Sequence, residues 1–191
     1  MLKALMKHRL IGLAAVPFVV AALAIPVAAA SVSAGTYTPT YNASAAPSGT
    51  HYKHGSATAS CTVTSTGTVS CNSYTLGGVG NIDATETLTA VYTATVVCIN
   101  GGGNPSDSQH QGSFSTTTGP LPLSSDKNGF LTVLATSVSP PSTSAFLSQQ
   151  TCPNPNWTPT LGSGITLFSF TYTLTFAGFN GAYITITATD P

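Results

Sequence analysis

Residues 167–176 read LFSFTYTLTF, so Phe168, Phe170, Tyr172, Leu174 and Phe176 alternate with Leu167, Ser169, Thr171, Thr173 and Thr175. In an extended chain every second side chain points to the same face, so the run predicts a strand with aromatic groups inward and hydroxyls outward. A helix repeats its faces every three or four residues and has no use for this pattern. Residues 87–98, TLTAVYTATVVC, repeat it, with Leu88, Ala90, Tyr92, Ala94, Val96 and Cys98 on one face and mostly threonine on the other. Tyr183 to Thr189 does so again, with Ile184, Ile186 and Ala188 on one side and Thr185 and Thr187 on the other. Phe130 to Val138 is apolar on both parities, which predicts a strand covered on two sides or spanning the core.

Turn chemistry registers two hairpins. Placing Cys61 opposite Cys71 and Val63 opposite Val69 leaves Ser65-Thr66-Gly67 as a loop. Placing Phe176 opposite Ile184 and Leu174 opposite Ile186 leaves Phe179-Asn180-Gly181. A three-residue hairpin loop ends in a left-handed residue, a conformation glycine adopts without a Cβ clash. Strands punctuated by Gly, Pro and Asn clusters, with no helical pattern beyond residue 30, predict an all-β fold. The expected form is an antiparallel β-sandwich of about seven strands, immunoglobulin-like rather than a closed barrel.

Of the 191 residues 42% are hydrophobic and only 5% are charged, against roughly 25% in an ordinary soluble domain. Lys3, Lys7 and Arg9 crowd the first nine positions, leaving Lys53 and Lys127 against Asp83, Glu86, Asp107, Asp126 and Asp190. Two scattered lysines cannot build a phosphate-neutralising patch, so no nucleic-acid partner is expected. The basic start, the uncharged run Leu10 to Ile25 and the small residues Ala28-Ala29-Ala30 form the pattern of a secretory signal-peptide helix, 1–30, cleaved near Ala30/Ser31 or Ala34/Gly35. The run is shorter than a membrane span prefers, and Pro17 and Pro26 interrupt it. An uncleaved anchor is the rival reading; if the signal is removed, no membrane association is expected. Residues 31–56 mix Ser, Thr, Ala, Gly and Pro without a period and read as a lead-in or tether, and residues 57–191 as the β-sandwich domain.

Four cysteines follow the leader, and on the export side of a membrane an even number points to bridges. Directly opposed strand residues have Cα atoms about 4.5 or 5.5 Å apart, which suits a disulfide, so the first hairpin predicts Cys61–Cys71 and leaves Cys98–Cys152. Zinc is the competing use of four cysteines, but no C-x2–4-C pair occurs. No metal and no cofactor are expected.

The chemistry-bearing residues are sparse. His51 and His54 lie in the lead-in and His110 in the loop Asn100–Gly112; a Ser/His/Asp assembly would need His110 beside Asp107 and a distant serine, and no G-x-S-x-G elbow is present. Asp83 and Glu86 read as solubilising charges at the start of a strand. The glycine runs at 77–80 and 101–103 lack a following helix and a P-loop lysine, and read as turns. An enzyme is therefore not expected. Trp157, with Asn156, sits on a loop stiffened by Pro153, Pro155 and Pro159; there it either caps the sandwich or stacks on a sugar or partner. Asn42-Ala43-Ser44 and Asn156-Trp157-Thr158 fit the N-glycosylation pattern.

Threonine is the most unusual feature, 31 residues after position 30, many as T-x-T on outward parity. Threonine suits solvated strand faces. A neutral hydroxyl face also suits a repetitive partner: glycan, a second copy, or ice, although ice requires a flat surface and sheets twist.

The segments SCNSYTLGGVGNIDATETLTAVYTATVVCINGGGN, CPNPNWTPTLGSG and YTLTFAGFNGAYITIT, taken with the leader, resemble a group of uncharacterised secreted immunoglobulin-like β-sandwich proteins of actinobacteria and related filamentous bacteria. The resemblance spans most of residues 57–188. It implies an exported compartment and a β-sandwich, and carries over no functional residue. The expected function is a secreted or cell-surface, non-catalytic structural or adhesive protein whose partner is cell-wall or extracellular glycan or another copy of itself. The alternative is a carbohydrate-binding module using Trp157 and loop aromatics.

Overall fold

The structure is a computed structural model that describes residues 31–190; the signal peptide read over 1–30 lies outside the described residues. In chain order the strands are β1 Gly35–Tyr37, β2 Thr40–Tyr41, β3 His51–Tyr52, β4 Cys61–Val63, β5 Val69–Cys71, β6 Tyr74–Gly77, β7 Ala84–Ile99, β8 Pro105–Leu123, β9 Leu131–Val133, β10 Thr136–Val138, β11 Thr158–Leu161, β12 Thr166–Phe176 and β13 Ile184–Thr189. A 3-10 turn, Ala43–Ala45, follows β2, and a short helix, α1 Thr143–Leu147, follows β10. All pairings are antiparallel, and the fold is all-β.

The large layer has the order β11-β7-β12-β13-β2, with β8 pairing β7. Facing it, β1-β4-β5-β10 and β3-β6-β9 share the second layer. The two smaller sheets form one bent surface, because their register continues from one to the other. Val69 faces Val138 and Cys71 faces Thr136; beyond the bend Tyr74 faces Val133 and Leu76 faces Leu131. Asn72 replaces the lost ladder at the bend: its backbone N–H donates to Ser60 O at 3.0 Å, its Nδ2 donates to Thr58 O at 2.9 Å, and its Oδ1 accepts from Ser60 N at 2.6 Å.

This bend corrects the reading of 130–138 as one strand covered on both sides. Leu131 and Val133 are buried, then Leu134 is 66% exposed, and Thr136 and Val138 are buried again. The inward parity switches at the bend, so two one-sided strands look apolar on both parities. More than seven strands result from this division and from the lead-in.

Residues 31–56 are built into the layers instead of hanging from them. β1 pairs β4, β2 pairs β13 and β3 pairs β6. Val32, Ala45 and Ala46 are buried. These strands are two or three residues long, too short to show a period, which is why the segment reads as a tether.

The inner face of β7 buries Leu88, Ala90, Tyr92, Ala94, Val96 and Cys98, and that of β12 buries Phe170, Tyr172, Leu174 and Phe176, as their alternation requires. Phe168 is the exception. The ladder skips between Leu167, opposite Tyr92, and Ser169, opposite Val91, so a bulge turns Phe168 outward and Leu167 inward.

The first hairpin has the expected register, Cys61 opposite Cys71 and Val63 opposite Val69, with Gly67 at φ 82°. Both bridges form, Cys61–Cys71 with Cα atoms 4.0 Å apart and Cys98–Cys152 with 5.8 Å. The last hairpin is shifted by two residues: Ile184 faces Leu174 and Ile186 faces Tyr172. Phe176 lies beyond the β13 ladder and, on the other edge of β12, opposite Ala84 of β7. Its ring meets Phe179 at 6.4 Å and Tyr183 at 5.6 Å, and this aromatic cluster fills the space a tight turn would have closed. A shift by two preserves parity, so the apolar face still points inward.

Candidate functional site: a hydroxyl sheet face and a tyrosine line

The ladders set the outward threonines side by side. Thr117, Thr89, Thr171 and Thr187 form one row across β8, β7, β12 and β13. Thr87, Thr173, Thr185 and Thr40 form the next across β7, β12, β13 and β2. Rows sit about 6.7 Å apart along the strands and their members about 4.8 Å apart across them. Neither row holds a charge. Thr89 and Thr117 share a hydroxyl hydrogen bond of 3.0 Å.

At the edge of this sheet a line of tyrosines runs inward from the surface. Tyr41 of β2 is 48% exposed, and its hydroxyl pairs with that of Tyr52 at 3.0 Å. The Tyr52 hydroxyl also accepts from Ala59 N at 3.2 Å. The Tyr52 ring packs on Tyr74 at 5.7 Å, and the buried Tyr74 and Tyr172 hydroxyls pair at 2.8 Å. Burial, reinforced by phenol neighbours, holds the Tyr52 and Tyr74 hydroxyls well above the ordinary phenol range. Burial alone pushes Tyr92 up to about 12.

The line ends at Glu86, which corrects its reading as a solubilising charge. Glu86 holds the inward parity of β7 between Ala84 and Leu88 and is 1% exposed. Neither carboxyl oxygen has a partner in hydrogen-bond geometry among the described residues. Burial pushes its carboxyl above the usual range, and the nearby Tyr172 hydroxyl offsets this only in part. Asp83, by contrast, is exposed just before the strand.

The other candidate residues are dispersed. His110 lies in β8 opposite Val96, not in a loop; the turn is only Asn100–Asn104, organised by the Asn100 side chain. His51 and His54 are exposed, with His51 Nδ1 2.7 Å from Gly49 O. Among the described residues no three His, Cys, Asp or Glu side chains gather as a metal site. Trp157 is half-buried, packed on neither core cluster, and Asn156 beside it is exposed. Asn154 organises their turn, its Oδ1 accepting from Asn156 N at 2.9 Å and its carbonyl from Trp157 N at 3.0 Å. Tyr41 and Tyr52 were not singled out in the sequence, and Tyr183 only as the start of the last strand; their one signal was large aromatics among small polar residues.

No helix among the described residues is long and apolar enough to cross a membrane. The two disulfides fit an oxidising, extracellular environment. Comparison with protein-family models, curated proteins and solved structures gives no match.

Proposed function

We propose that this is an exported, non-catalytic β-sandwich of the cell surface or extracellular matrix, and that its threonine-lined sheet face is an adhesive surface for a neutral, repetitive polymer such as cell-wall polysaccharide. The observation that carries the reading is the collection of threonines from five strands into adjoining uncharged rows. Hydroxyls at regular spacing exchange hydrogen bonds with a hydroxylated polymer, and a neutral face imposes no charge desolvation. Self-association through the same neutral face is the second reading, since few charges oppose it.

The test uses protein exported with its own N-terminal segment and mixed with insoluble cellulose, chitin and a β-1,3-glucan. Retention on at least one, unchanged between low and high salt, is expected because the contact is uncharged. Thr187→Lys, on the exposed end of a row, is expected to weaken it. Protein that stays in the supernatant with all three polymers and stays monomeric when concentrated overturns the proposal.

A further inference from the structure

We infer that the groove beside Tyr41 binds one ring of a neutral saccharide, a subsite that rests on the adhesive reading above and names its recognition element. The groove, about 380 Å³, is lined by Tyr41, Tyr183, Pro47, Ser48, Gly49 and Thr50 among others, none of them charged. Its volume is within the range of small-molecule sites.

Three features select the ligand class. The Tyr41 ring is 48% exposed, yet it is held from two sides, by the Tyr52 hydroxyl at 3.0 Å and by the Tyr183 ring at 5.9 Å. An aromatic already fixed in place loses little freedom on binding. Its apolar face complements the C–H face of a pyranose, while the Ser48 hydroxyl, which has no hydrogen-bond partner among the described residues, and the neighbouring polar groups suit the sugar's hydroxyl rim. The uncharged lining gives an anionic sugar no counter-charge. Thr40, next to Tyr41 on the edge strand β2, ends a threonine row on the outer face, whereas Tyr41 holds the opposite parity beside Ile184, so a polymer joins the row to the groove by turning over the sheet edge.

The experiment is calorimetric titration of the exported protein with cellohexaose, laminarihexaose, maltohexaose and chitohexaose, with an oligogalacturonate as acidic control. At least one neutral hexasaccharide is expected to bind and the acidic one not. Tyr41→Ala is expected to weaken binding more than about tenfold, the scale of truncating an aromatic anchor. Tyr41→Phe, which keeps the ring, should bind within about threefold of the parent. Ser48→Trp fills the groove from an exposed position and should block binding without touching the tyrosine packing. Failure of all four neutral sugars to bind, or unchanged binding by Tyr41→Ala and Ser48→Trp, overturns the subsite. The two proposals separate: a groove failure leaves insoluble-polymer retention sensitive to Thr187→Lys and indifferent to Tyr41→Ala, whereas a face failure leaves hexasaccharide binding intact and retention indifferent to Thr187→Lys.

Discussion

The two ends of β7 carry the same alternation and are covered in different ways. From Ala84 to Tyr92 its inner face lies under the bent second layer, within a core that includes Phe170, Tyr172, Leu174 and Phe176. From Ala94 to Cys98 the second layer has ended. There Ala94 and Val96 share a small cluster with Phe146 of α1, flanked by Phe114, Leu147, Leu161 and Ile165. A cluster of three buried residues is a weak core, and it is stapled: Cys98–Cys152 ties the strand to the loop after α1. Gln150 adds a second tie, its Nε2 donating to Ser113 O of β8 at 3.0 Å and to Phe146 O at 3.2 Å. Among the described residues β8 pairs only with β7, so the Gln150 contact also occupies part of a long strand edge that would otherwise invite pairing. Identical patterning is thus stabilised by apolar burial at one end and largely by a covalent link at the other.

Four variants break or sharpen that contrast. Phe170→Ala, in the broad core, should cost about 3–5 kcal/mol and accelerate amide exchange throughout the sandwich. Phe146→Ala should cost less in melting temperature and raise exchange only in 94–99, β11 and α1; equal loss of protection at 84–92 would show that the two ends are one cooperative unit. Removing the Cys98–Cys152 bridge by a double Ser substitution should cost about 4 kcal/mol in the chain-entropy limit, with the largest gain in exchange in the same far segment. Glu86→Gln acts at the opposite end and with the smallest effect. Because burial raises the folded-state pKa of Glu86, its charge weakens the fold progressively as pH rises above the unfolded carboxyl pKa, about 4.3. The variant should therefore melt higher than the parent at pH 7 and equal it below pH about 4. A parent curve as flat as the variant's between those limits would contradict this.

Where apolar and hydroxylated residues alternate over a long run, as in β7 and β12, the face of each residue was legible directly, with Phe168 the exception. The bulge that turns Phe168 out leaves no mark in the alternation, because phenylalanine fits either side of it. The Cys61–Cys71 hairpin was legible to its register, since a bridge and a left-handed glycine agree. The last hairpin was not, because the Phe176 ring packs with Phe179 and Tyr183 in the space a short loop would have closed. The threonine rows were half legible: T-x-T predicts outward hydroxyls, but not which strands become neighbours. Of the Tyr41 groove almost nothing was legible, since its walls come from the two-residue strand β2, the irregular segment 43–50 and Tyr183 from far along the chain.

From its residues alone this chain was bound to form antiparallel strands with one greasy and one hydroxylated face, closed by two bridges. That much depends on local periodicity and turn chemistry, which act over a few residues. The bend at Asn72, the burial of Glu86, the incorporation of residues 31–56 and the meeting of Tyr41, Tyr52 and Tyr183 were decided only in three dimensions. Each depends on contacts between segments far apart in the chain, and the energy of such a contact exists only once the layers have closed on one another.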